Sequence, residues 1–180
     1  MNTDRLALCY HEAGHAAMYW WTGAAGGALE INAASTTACH IVRSFDFPSA
    51  PTVLRLVGGL VAEVEFYGWR SRDVYARRVL RDEGERRIHG SDTARLTRIF
   101  RMMSLPVALQ RRLRLRLQIH CIQVLRKRRV WSAVATVARR LYELGRVEKE
   151  EVDLVFSVAG KMGGFFKERA DQFPEFVPST

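Results

Sequence analysis

The sequence predicts a mainly helical domain with a small β element beside its first helix. Three observations carry that expectation. Apolar residues recur at three- and four-residue steps over most of the chain, the pattern of a helix with one buried face. The runs are punctuated by Gly23, Gly68, Pro106 and Gly145, residues that end or open helices. Only the stretch from Ala28 to Phe45 changes character, with short apolar runs around a small, polar turn. The 180 residues, 48% of them hydrophobic, are enough for one domain with a core of its own. That domain is expected over residues 1–172, with a flexible C-terminal tail over 173–180.

The first helix is expected from about Asp4, a candidate N-cap, to about Thr22, with Gly23 as its stop. It contains Cys9-Tyr10-His11-Glu12-Ala13-Gly14-His15-Ala16. A step of four residues turns a helix by about 400°, so His11 and His15 lie one above the other on one face. Two neutral imidazoles at that spacing can grip a single Zn²⁺. Glu12 is offset by about 100°. It stands beside such a metal, where a carboxylate can act on a water instead of ligating. This is the H-E-x-x-H arrangement of zincins. Leu6, Leu8, Ala13, Ala16, Ala17, Met18, Trp20 and Trp21 make the segment apolar, which marks the helix as mostly buried. Histidines and a glutamate are costly there without partners, and a metal supplies one.

Leu29, Ile31, Cys39, Ile41 and Val42 predict one or two short strands, with Asn32 to Thr37 as the turn. A strand beside a metal helix can pair with an extended peptide through its free edge. Pro48-Ser49-Ala50-Pro51 opens a second helix that carries Val53, Leu56, Val57, Leu60, Val61 and Val64 and ends at Gly68. Gly58-Gly59 in its middle costs about 1 kcal/mol per glycine relative to alanine. A close approach to another helix, or to a metal site, accounts for that cost. Glu63 lies on or near the apolar side. Its options are a metal ligand, a group supporting one, or an exposed or hydrogen-bonded glutamate.

Residues Trp69 to Ile88 are dense in charge and predict an exposed helix. A further helix begins near Ser91 or Asp92 and turns Leu96, Ile99, Phe100 and Met103 inward. Pro106 opens the next, with Leu109, Leu113, Leu117, Cys121 and Val124 at helical spacing. Arg112 to Leu117 alternate as a strand would, but the length of the surrounding pattern favours helix. Trp131 to Leu144 form another helix, with Trp131, Val134, Ala135, Ala138, Leu141 and Tyr142 on one face and Gly145 as its stop. A last helix carries Val152, Val155, Phe156 and Ala159.

The 28 basic against 19 acidic residues give a net charge of +9 and a pI near 10.1. That balance permits contact with nucleic acid, an anionic membrane or acidic polypeptides. The basic residues cluster at Arg111 to Arg116 and Arg126 to Arg129, with no acid between. Cys9, Cys39 and Cys121 are odd in number and form no C-x-x-C pair, so a reduced, cytoplasmic setting is expected. Cys39-His40 reads as a thiol beside an incidental histidine. No membrane span is expected, because the uncharged run from Ala13 to Leu29 contains His15 and four glycines.

Several of these segments, taken in order, resemble one family. His11-Glu12-Ala13-Gly14-His15-Ala16 reads like the H-E-A-G-H-A of the FtsH-type peptidase domain. Leu56-Val57-Gly58-Gly59-Leu60-Val61-Ala62-Glu63 resembles its L-G-G-R-A-A-E segment, and Phe66-Tyr67-Gly68 the F-G that follows. Gly90-Ser91-Asp92 resembles the G-A-S-N-D segment that delivers the third zinc ligand. Trp131 to Val152 is similar to the family's closing helices. The resemblance spans Arg5 to about Val155.

It implies an FtsH-like zincin fold, a helical bundle with a small β element beside the metal helix, and a zinc metallopeptidase activity. It also implies Asp92 as third ligand beside His11 and His15, Zn²⁺ as cofactor, Glu12 as general base, and a homo-oligomeric ring. Glu63 is the reserve ligand, with His89 and His40 behind it; for Asp92 the other reading is a helix cap. The sequence holds no G-x-x-x-x-G-K-[ST] loop, so the polypeptide substrate is expected to arrive unfolded or from a separate unfoldase ATPase. The other reading is a non-catalytic, basic interaction module on the same fold, holding nucleic acid or a protein partner through its arginines.

Overall fold

A computed structural model describes residues 2–31, 38–40, 49–68 and 92–160. Among them the chain is mainly helical, with a three-stranded antiparallel sheet at one side. Helix α1 spans Thr3–Trp21 and forms the centre of the molecule. Leu6 to Tyr19 are all buried, polar members included. The N-cap is Asn2 and not Asp4. The Asn2 side chain accepts hydrogen bonds from the backbone N–H of Asp4 and Arg5 at 3.1 and 3.2 Å. Asp4 falls inside the first turn, where its charge suits the helix dipole and its carboxylate accepts a bond from the Tyr67 hydroxyl at 3.0 Å. Gly23, at φ +70°, ends the segment as expected.

Strand β1 (Leu29–Ile31) pairs with β2 (Ala38–His40), setting Leu29 opposite His40 and Ile31 opposite Ala38. Helix α2 covers Ala50–Tyr67. Ser49 caps its start, accepting from the Thr52 N–H at 3.3 Å, and Gly68 at φ +79° closes it. Then come α3 (Asp92–Met102), α4 (Val107–Leu125) and α5 (Arg128–Leu144). Strand β3 (Arg146–Val147) and α6 (Lys149–Ala159) follow.

One sequence-based boundary is corrected here, and one strand is added. Helix α5 starts at Arg128, three residues before Trp131, because Arg128 and Arg129 extend into solvent from its first turn. Its buried stripe is Val130, Ala133, Val134, Val137, Ala138 and Leu141, while Trp131, Ala135 and Tyr142 pack at the edge. Strand β3, unread in the sequence, completes the sheet in the order β2-β1-β3. A two-residue strand has no periodicity to display. Its position follows from the left-handed turn at Gly145 (φ +74°), whose carbonyl accepts from the Ile31 N–H at 2.8 Å.

The core is built around the crossing of α1 and α2. A Cβ on Gly58 would stand 2.6 Å from Met18 Cγ and 2.7 Å from the Gly14 carbonyl oxygen. One on Gly14 would stand 2.5 Å from the Gly58 carbonyl oxygen. The two glycines therefore let the helices approach to backbone contact. Helix α5 covers α1, and α4 covers α2 through Leu113, Leu117, Cys121 and Val124. Helix α3 adds Leu96, Ile99 and Phe100 to the core. No helix of the described residues is long and apolar enough to cross a membrane. The expected turn at 32–37, the strand residues Ile41 and Val42, the charged helix from Trp69 to Ile88, and the tail over 173–180 lie outside the described residues.

Candidate metal centre

Helical spacing on α1 sets His11 and His15 one above the other on one face as the sequence predicts, with ring centroids 4.7 Å apart and the rings edge-on at 82°. Both are buried, at 7% and 5% exposure, and Glu12 between them is at 5%. Ligand atoms of His11, Glu12 and His15 all lie within 4.8 Å of one another. The first residue of α3 reaches the same point. Asp92 Oδ2 stands 3.0 Å from His11 Nε2 and 2.9 Å from His15 Nε2. The two Nε2 atoms are themselves 3.0 Å apart.

The far side of each ring decides what those three atoms are. His15 Nδ1 lies 2.8 Å from the backbone carbonyl oxygen of Arg55. A carbonyl only accepts, so this nitrogen carries the proton. His11 Nδ1 lies 3.1 Å from Glu63 Oε2, and a carboxylate likewise fixes the proton on Nδ1. A neutral imidazole with its proton on Nδ1 presents a bare lone pair at Nε2. Asp92 brings a carboxylate oxygen, Oδ2, to the same point. Three acceptors therefore converge at 2.9–3.0 Å.

An extra proton on one imidazole would satisfy one pair and leave the third atom facing a lone pair. A cation shared among them satisfies all three. Three donors set about 2.0–2.1 Å from a tetrahedral ion stand roughly 3.3 Å apart, a few tenths of an ångström from the spacing here. Nitrogen, nitrogen and carboxylate oxygen are also the donor types that Zn²⁺ takes.

Gly59 opens the space beside these atoms. A Cβ at position 59 would lie 2.5 Å from His15 Nε2 and 2.6 Å from His11 Nε2. Any residue larger than glycine would fill the cradle. The paired glycines of α2 thus have separate tasks, Gly58 at the helix crossing and Gly59 at the histidines.

Glu63 is neither exposed nor a ligand in this arrangement. It is 3% exposed and holds His11 from behind. Buried carboxylate–histidine pairs of this kind set ring orientation and raise ligand basicity in metal sites. The Arg55 carbonyl does the same for His15. No sequence signal marks it, since a backbone oxygen carries no residue identity. Cys9 is buried within the motif but faces the core, and desolvation pushes its thiol up to about 12. His89 and the side chain of His40 lie outside the described residues. No protein-family model, curated protein or solved structure matches the chain.

Proposed function

We propose that this chain is a zinc-dependent metalloendopeptidase of the H-E-x-x-H type, with a peptidase fold like that of the FtsH family. The observation that carries the reading is the convergence of His11 Nε2, His15 Nε2 and Asp92 Oδ2 within 3.0 Å, with both histidine Nδ1 protons fixed from behind. His11, His15 and Asp92 would hold the ion. Zinc bound there supplies a Lewis acid that polarises a peptide carbonyl and makes water acidic enough to lose a proton near neutral pH. Glu12 takes that proton on its carboxylate and returns it to the amine nitrogen of the broken peptide bond. Burial of Glu12 beside the histidines keeps bulk water away from this transfer. Glu63 and the Arg55 carbonyl hold the two rings so that neither turns its protonated nitrogen toward the centre.

The substrate is a polypeptide in extended, unfolded form. β2 ends the sheet order β2-β1-β3 among the described residues, and an extended peptide would add beside it as a further strand. A separate unfoldase would widen the range of substrates.

The test is metal content of the purified wild type beside Asp92→Ala, joined to cleavage of an unfolded protein such as casein. The expected result is one zinc per wild-type chain, loss of zinc in Asp92→Ala, and cleavage abolished with zinc retained in Glu12→Gln. Absence of zinc from the wild type after reconstitution would overturn the reading. So would normal cleavage by Glu12→Gln.

A further inference from the structure

We propose that the outward face of α4 docks on an anionic membrane surface, lying along the headgroups and not crossing them. Helix α4 already has an inner face, which buries Leu113, Leu117, Cys121 and Val124 against the core. Its opposite face is apolar as well. Ala108, Leu115 and Ile119 fall within about 40° of one another around the helix. Leu115 is 58% and Ile119 46% exposed. Arg111 flanks this line on one side and Arg112 on the other, both exposed. No Asp or Glu occurs anywhere from Val107 to Arg129. The helix has 19 residues and extends about 28 Å.

An exposed aliphatic line between arginines is the make-up of an interfacial helix. The aliphatic side chains enter the boundary between headgroups and acyl chains, while the arginines reach anionic headgroups and keep their charge in water. The alternatives fit less well. A second copy docking through this same face would bring like charge and be repelled. Nucleic acid would use the arginines but has no use for Leu115 and Ile119, and no aromatic ring stands on this face for a base to stack on. The proposal is independent of the zinc site, which lies on α1 and α3.

The experiment is sedimentation of the full chain with vesicles, either phosphatidylcholine alone or phosphatidylcholine with phosphatidylserine. Two variants accompany the wild type, Arg111→Gln/Arg112→Gln and Leu115→Gln/Ile119→Gln. The expected result is binding only to the anionic vesicles, weakening as salt rises. Loss of the two arginines should weaken partitioning about thirtyfold, and the aliphatic pair about tenfold. Both variants should keep the wild-type circular dichroism, since all four side chains face solvent. Equal binding to neutral vesicles would overturn the proposal, as would indifference to the aliphatic pair. A chain that ignores both vesicles but retards duplex DNA would overturn it in favour of nucleic acid.

Discussion

Glu63 shows how much one buried group can decide. Its carboxylate faces the Nδ1 proton of His11 in a space closed to water. Glu63→Ala leaves that N–H without an acceptor, at a cost of about 1–3 kcal/mol, and frees the ring to turn. Zinc affinity should fall roughly 10–100-fold, measured by competition with a chelating dye. Glu63→Gln still offers an oxygen and should recover most of the loss. Equal weakening in both variants would mean that the charge of Glu63, and not its hold on the ring, is what matters.

Cys9 gives a second prediction at this scale. Desolvation raises its thiol from 9.0 to about 12. The unfolded chain then releases the thiol proton at lower pH than the folded one. Stability from this group is fully present below pH 9 and declines as pH rises toward 12. At about pH 10.5 the loss is near 2 kcal/mol. Urea unfolding of the wild type and Cys9→Ala at pH 8 and 10.5 isolates it. The wild type should lose about 2 kcal/mol more than the variant, and parallel losses would show that the thiol does not contribute.

The elements were legible where pattern and punctuation agree. The α2 boundaries were written in Ser49, Pro51 and Gly68, and α1 in its dense apolar run before Gly23. The α1 cap was misread because Asn2 and Asp4 are both good caps and sequence does not say which one the first turn selects. The glycine pair in α2 was legible as a cost but not as a division of labour. Neighbouring helix positions point about 100° apart, so adjacent substitutions should fail differently. Gly58→Ala drives a methyl into the Gly14 carbonyl and Met18. A backbone oxygen cannot move aside, so stability should drop about 1–3 kcal/mol. Gly59→Ala gains helix propensity of about 1 kcal/mol but places its methyl against both Nε2 atoms. It should keep the helical circular dichroism and lose zinc. Zinc binding unchanged in Gly59→Ala would show that the ion does not sit on that side of the histidines.

At the scale of the whole molecule, the candidate centre joins three helices that are distant in sequence. Histidines come from α1, their supports from α2, and a carboxylate from the first turn of α3. The sequence displayed the α1 part because it is local. Glu63 was legible only as one of several options from its place on the apolar side of α2, and Asp92 as a ligand only through resemblance, since the distances from His11 to both are set by packing. A zinc ion held there would be tied to one element above the others. Helices α1, α2 and α5 hold each other through buried apolar faces and need no ion. Helix α3 is short, with 11 residues and Leu96, Ile99 and Phe100 as its buried anchors, and its N-terminus would be held through Asp92. A ligand at 100 times its dissociation constant stabilises the state it binds by about 2.7 kcal/mol. Chelation should therefore lower the thermal midpoint and, in hydrogen exchange, speed the α3 amides most while the α1 and α5 cores stay protected. Asp92→Ala should exchange like the chelated wild type and ignore added zinc. If chelation leaves α3 as protected as before, Asp92 does not anchor that helix through a metal.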